Sequence, residues 1–131
     1  MAIDFSIKVI VVDDMMTMRK IVSKNLKAMG FKNIVEAEDG AKAWSLLTQA
    51  ADDGKPFGFI VSDWNMPKMD GLELLTKVRA TDNLKETPFL MVTAEAESSN
   101  VLKVVKAGVS NFIVKPFTPD TLTGKVQKIF S

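Results

Sequence analysis

An open, doubly wound α/β domain is the fold this sequence predicts, on three observations. Short aliphatic runs of strand length recur five times along the 131 residues. A stretch with helical apolar spacing follows each run, and four of the run ends carry acidic, hydroxyl or cationic residues. Strands that alternate with helices join by right-handed crossovers into a parallel sheet covered on both faces. Such sheets gather ligands at the carboxyl ends of their strands. Asp13, Asp14, Asp63, Thr93 and Lys115 are therefore expected to converge on one crevice.

Ile7 to Val12 is nearly all aliphatic and rich in β-branched residues, too short for a buried helix, and reads as a central strand. Met18, Ile21, Val22, Leu26 and Met29 then recur at intervals of three and four residues, with Gly30 placed to close a helix. Ile34 to Ala37 forms the second strand. The second helix starts near Ala41, buries Ala43, Leu46, Leu47 and Ala50, and ends at Asp52-Asp53-Gly54-Lys55-Pro56. Phe57 to Ser62 is the third strand, Leu72, Leu75 and Val78 mark the third helix, and Pro88 to Val92 is the fourth strand. Val101, Val104 and Val105 mark the fourth helix. Asn111 to Val114 is the last strand. The last helix opens with Thr118 as N-cap and Pro119 in its first turn, and buries Leu122, Val126 and Ile129.

The length suits one domain, residues 1–131, with no linker, internal repeat or attached output domain expected. No apolar run approaches the roughly 20 residues needed to span a bilayer. The first residues lack the basic and apolar stretches of a secretory signal, so a cytoplasmic protein is expected. Neither cysteine nor histidine occurs, which removes thiolate chemistry, the usual general base and the usual nitrogen and sulfur metal ligands. A formal net charge of +1 does not suit a nucleic-acid binder. Lys20, Lys24 and Lys27 lie at helical spacing and read as a solvated helix face.

Asp13 and Asp14 leave the first strand side by side, and Asp63 leaves the third. Alone, the Asp-Asp pair is compatible with a strand-to-helix turn and a capping acid. With Asp63 added, carboxylates about 4 Å apart would repel by roughly 4 kcal/mol at an effective dielectric of 20, so a proton or a cation must offset them. With oxygen as the available ligand type, Mg²⁺ or Mn²⁺ suits this site better than zinc or calcium. Asp63 stands before the Pro67 loop, at a rigid edge where a metal-neutralised carboxylate can attack a phosphoryl group. Thr93 offers a hydroxyl and Lys115 an ammonium for the transferred oxygens. Taken singly, each would be an ordinary strand-end or surface residue; the set carries the inference. Trp64, next to the acceptor, is expected to cover the site. Trp44 is expected to pack or lie at the surface, and Met15 and Met16 to line the rim. For Lys115-Pro116 the sequence alone says trans.

Several motifs occur together and in order: Val11-Val12-Asp13-Asp14, Thr17-Met18-Arg19, Glu36-Ala37-Glu38-Asp39-Gly40, Ser62 to Pro67, Met69-Asp70-Gly71, Met91-Val92-Thr93-Ala94-Glu95 and Val114-Lys115-Pro116-Phe117-Thr118. On these, nearly the whole chain resembles the response-regulator receiver domain, in particular its single-domain chemotaxis members. The resemblance implies a flavodoxin-like sheet in the order 2-1-3-4-5 and phosphorylation of Asp63 by a histidine kinase. It implies Mg²⁺ held by Asp13, Asp14, Asp63 and the backbone carbonyl of Asn65, and a cis Lys115-Pro116 bond. The side chains of Asn65 and Glu95 would tune the lifetime of the acyl phosphate, and Phe112 would follow Thr93 inward as a switch. Its partners would be the kinase, a flagellar motor switch protein or another protein target, and a phosphatase, met by a monomer.

Two departures stand out. Phe112 replaces the tyrosine of the chemotaxis regulators, so it reads either as a switch ring without a hydroxyl or as a plain core aromatic. Glu97, Ser98 and Ser99 stand where those proteins carry lysines, and Lys125 remains of that basic face. Ala51 to Phe57 is longer than in those relatives and lies away from the phosphorylated edge. A phosphate sink is an alternative output. A metal-dependent phosphohydrolase would want an Asp-x-Asp first-strand motif and a cap domain. A flavin carrier would want hydroxyls and amides, where this first loop offers two carboxylates.

Overall fold

The computed structural model describes residues 3–94 and 98–131. The elements are β1 (Lys8–Val12), α1 (Met16–Met29), β2 (Asn33–Ala37), α2 (Gly40–Asp52), β3 (Phe59–Asp63), α3 (Gly71–Arg79), β4 (Phe89–Thr93), α4 (Ser98–Lys106), β5 (Asn111–Val114) and α5 (Pro119–Ile129). The five strands form one sheet in the order β2-β1-β3-β4-β5, and every neighbouring pair is parallel. This is the expected doubly wound order.

Side chains alternate across a strand, so each strand feeds two cores. Val9, Val11, Phe59, Val61, Leu90, Val92 and Ile113 pack with Val22 and Leu26 of α1 and Leu122 and Val126 of α5. Ile10, Val12, Ile60, Phe89 and Met91 pack on the other face with Ala43 and Leu47 of α2, Leu74, Leu75 and Val78 of α3, and Val104 of α4. Every residue of β3 and β4 is buried, as continuous apolar runs in a covered parallel sheet require.

Helix ends follow local chemistry. Gly30 closes α1 at φ 124°, in the region that favours glycine. Among the described residues, three helices are capped by side chains at their N-termini: Asp39 accepts from the Lys42 N–H at 2.7 Å, Asp70 from the Glu73 N–H at 2.8 Å, and Thr118 from the Thr121 N–H at 3.2 Å. Pro119 sits in the first turn of α5, as expected. Among the described residues, no helix is long and apolar enough to cross a membrane.

Two residues of the helical apolar patterns face outward. Ile21 is 44% exposed and Val105 53% exposed. In each case the immediate neighbour, Val22 or Val104, takes the inward position, since one residue turns a helix by about 100°. Ser23 is also buried on α1. The Lys115-Pro116 bond is cis, as the resemblance implied and against the trans expectation from sequence alone. Truncating adjacent valines tests the inward face of α4. Val104→Ala is expected to lower stability by about 2 kcal/mol, and Val105→Ala to change it by less than about 0.5 kcal/mol, as read by urea unfolding.

Candidate functional site

The site is built from the strand ends. At the end of β1, the Asp13 N–H donates to the Ala37 carbonyl at 3.1 Å, and the Asp13 carbonyl accepts from Arg19 Nη1 at 2.8 Å. Arg19 and Lys20 both reach Glu36, at 3.2 and 3.0 Å. Burial raises the Glu36 carboxyl, but the hydrogen bonds from Lys20 and Arg19 outweigh it and the net shift is downward. The backbone of the first acid is thus held on both sides before its side chain is considered. One Asp13 oxygen accepts from the Met15 N–H at 2.9 Å, turning the carboxylate over the start of α1.

At the end of β3, Asp63 pairs in register with Val92, and its Oδ1 accepts from the Trp64 N–H at 2.9 Å. One oxygen from each of Asp13, Asp14 and Asp63 lies within 4.8 Å of the others. Among the described residues, this is the one group of acids placed to share an ion. Asp13 and Asp63 are buried and Asp14 is exposed, so solvent reaches the cluster at Asp14.

Lys115 completes the group. Register places Thr93 opposite Val114, and the Lys115 N–H donates to the Thr93 carbonyl at 2.8 Å. From there the ammonium reaches inward to Asp63 Oδ1 at 3.1 Å and Asp13 Oδ2 at 3.5 Å. Thr93 is 2% exposed at the end of β4. Three carboxylates against one ammonium leave an excess of negative charge.

Burial pushes the Asp63 carboxyl up from its ordinary value, and the charge of Asp13 adds to the rise; Lys115 and the Trp64 N–H pull the other way without cancelling it. Burial likewise pushes Asp13 up, with the Met15 N–H and Lys115 opposing. Oxygen donors of this kind, close together and half-enclosed, fit a small hard cation that keeps part of its water shell.

Asn65 is exposed on the loop after β3. Glu95 lies outside the described residues, as does Glu97. Trp64, next to Asp63, is 8% exposed and belongs to the core cluster with α2 and α3, where its large apolar ring gains from burial. Met15 and Met16 are 59% and 63% exposed at the N-terminal end of α1. Met18 is half-buried against the α1/α5 core. Phe112 is half-buried against the α2–α4 core, and the Lys125 ammonium lies 5.4 Å from its ring centroid. Trp44 is half-buried on α2 beneath Lys77, at the same separation of 5.4 Å.

Sequence reasoning gave no role to Arg19, Asp39 or Lys68. Asp39 is buried, caps α2 and lies 3.7 Å from Lys68. Its position just before a helical pattern was the available signal.

The sequence profile of the response regulator receiver domain matches residues 9–127. The chain is 44% identical over 122 residues to the chemotaxis protein CheY1 of Helicobacter pylori, covering 93% of this chain and 95% of that protein. It is 46% identical over 125 residues to the chemotaxis protein CheY-3 of Vibrio cholerae, covering 95% and 92%. Among solved structures, the chemotaxis response regulator CheY4 of Vibrio cholerae matches with a TM-score of 0.84 at 35% identity, covering 95% of this chain and 98% of that one. A putative response regulator from Chloroflexus aurantiacus matches with a TM-score of 0.84 at 26% identity, covering 95% and 97%. With its sheet order, its acidic strand ends and these relatives in agreement, the chain belongs to the response regulator receiver domain family, as a homologue of the CheY chemotaxis regulators.

Proposed function

We propose that this chain, as a single receiver domain over residues 1–131, takes a phosphoryl group from a histidine kinase onto Asp63 and thereby changes its affinity for a protein partner in chemotaxis. The observation that carries the reading is the Lys115 ammonium lying between Asp63 and Asp13, at 3.1 and 3.5 Å, in a pocket with three carboxylates. A buried acid, an anion-binding cation and a metal-binding carboxylate set are the parts that phosphoryl transfer needs, because its catalysis is mostly positioning and charge neutralisation.

Asp13, Asp14, Asp63 and the carbonyl of Asn65 would hold Mg²⁺, for which Mn²⁺ can substitute. When bound, the ion supplies charge neutralisation on acceptor and donor. In the transfer, an Asp63 carboxylate oxygen forms a bond to phosphorus while the bond from phosphorus to the donor nitrogen breaks, and the departing imidazole takes up a proton. Lys115 leaves its carboxylate partners for the oxygens of the arriving phosphoryl group, and Thr93 donates its hydroxyl to another. The domain thus catalyses its own phosphorylation and, through water, its dephosphorylation. Asn65 and Glu95 set how readily water reaches the acyl phosphate. The Phe112 ring follows Thr93 inward and alters the surface of α4, β5 and α5.

The partners that fit are a histidine kinase, a flagellar motor switch protein and a phosphatase, met in the cytoplasm by a monomer. One observation favours a second output, a phosphate sink. Phe112 has no hydroxyl to offer a partner, so the ring can move without presenting a polar group. Binding to the N-terminal peptide of a motor switch protein, strengthened by beryllofluoride, supports the motor role; no binding with or without it supports the sink.

Incubation with Mg²⁺ and acetyl phosphate is expected to add one acid-labile phosphoryl group to the wild type and none to Asp63→Asn, read by intact mass. No addition to either protein rejects the reading.

The raised carboxyl pKa of Asp63 also has a definite sign in stability. A group whose pKa rises on folding contributes stability that is fully present below its unfolded value of 3.8 and lost as pH rises through the folded value. Metal-free Asp63→Asn is therefore expected to gain on the wild type as pH rises from below 3.8, and to be the more stable of the two at neutrality. Chemical denaturation across pH measures the difference. In the wild type, Mg²⁺ at about 100 times its Kd is expected to raise stability by about 2.7 kcal/mol, with little rise in Asp63→Asn.

A further inference from the structure

We infer that Gly40 is a positioning residue for the divalent-cation site: the first turn of α2 buttresses the loop that carries Asn65 and so sets the affinity of the pocket for Mg²⁺. The inference rests on the proposed role of the Asn65 carbonyl as a ligand. That loop, residues 64–70, leaves β3 directly after the acceptor aspartate. Its base is closed by the Gly71 N–H donating to the Trp64 carbonyl at 2.7 Å. Its crest turns at Pro67 to Met69, where the Met69 N–H donates to the Pro67 carbonyl at 2.8 Å and Lys68 takes the left-handed conformation at φ 69°. A non-glycine residue held there is strained, and a strained crest needs outside support.

The support comes from residues 39 and 40. A Cβ on Gly40 would overlap the Met69 carbonyl oxygen and lie 2.9 Å from the Met69 carbonyl carbon and Cβ. Gly40 is helical and its φ is not in the left-handed region, so clearance from the loop, and not backbone conformation, accounts for glycine here. Next to it, Asp39 divides its oxygens. Oδ1 caps α2 through the Lys42 N–H at 2.7 Å, and Oδ2 faces the Lys68 ammonium at 3.7 Å. The same segment also holds the opposite wall of the pocket, since the Ala37 carbonyl accepts from the Asp13 N–H at 3.1 Å. Residues 37 to 40 therefore reference both halves of the site, the Asp13 end of β1 and the loop of Asn65, to one rigid strand-to-helix turn. A side chain at 40 would push the loop outward while leaving Asp13 in place, widening the gap that an octahedral ion with short metal–oxygen bonds tolerates poorly.

Mg²⁺ titration followed by isothermal calorimetry tests this on the full chain, with melting temperatures recorded for each protein without metal. Gly40→Ala is expected to raise the Kd for Mg²⁺ about tenfold, the usual consequence of disturbing an outer support of a metal ligand. Val126→Ala, a core truncation on the α1/α5 side, is expected to lower the melting temperature and leave the Kd unchanged. Lys68→Met covers the case in which Gly40→Ala does not fold. Removing a cation near an anionic pocket would tighten Mg²⁺ binding by Coulomb attraction alone, whereas loss of the loop's tether weakens it. Weaker binding by Lys68→Met is the expected result. Wild-type affinity in Gly40→Ala, an equal loss in Val126→Ala, or unchanged or tighter binding in Lys68→Met overturns the inference and leaves the metal reading standing. A wild type that binds no Mg²⁺ overturns both.

Discussion

Repulsion among three carboxylates is the constraint on which the rest of this structure depends. Asp13 and Asp63 are buried at adjacent strand ends, Asp14 is exposed beside them, and the single charge of Lys115, which pairs with Asp13 and Asp63, cannot neutralise all three. A fold does not hold such a cluster for stability's sake, because burial and like charge both raise the free energy of the ionised forms. The cluster makes physical sense as a site that positive charge would relieve.

The sheet makes this arrangement rigid. β1 and β3 are neighbours, β3 pairs with β4, and β4 with β5, so the residues that leave these strands must emerge side by side on one edge. Main-chain bonds fix each carrier: Asp13 to Ala37, Trp64 to Val92 at 3.0 Å, and Lys115 to Thr93. Two glycines then bring the loop after β3 into contact. Gly71 packs on the Asp63 carbonyl, and Gly40 meets Met69. Rigidity of this order lets buried charges stay close without the side chains swinging apart to relieve them.

Much of this was legible in the sequence because the relevant signals are local. Continuous β-branched runs, helical apolar spacing, and caps at Gly30 and Thr118 marked the elements, and the strand-end rule brought together Asp13, Asp14, Asp63 and Lys115. Which of two adjacent apolar residues faces inward was not legible, because either can satisfy a period of 3.6; tertiary packing selected Val22 over Ile21 and Val104 over Val105. Trp64 follows the last residue of β3, and because side chains alternate across a strand its ring turns into the layer formed with α2 and α3. The cap at Asp39 had a local signal, but its approach to Lys68 and the clearance of Gly40 from Met69 did not, since they depend on a contact between two segments far apart in sequence.

Titration of the Asp63 carboxyl, followed by carbon NMR with and without Mg²⁺, bears most directly on the central claim. Burial and the neighbouring Asp13 should place the metal-free value above the ordinary one of 3.8, and Mg²⁺ should bring it down, because a bound cation favours the charged form. An ordinary value that Mg²⁺ leaves unmoved would contradict the account, for it would mean that Asp63 neither feels its acidic neighbours nor shares an ion with them.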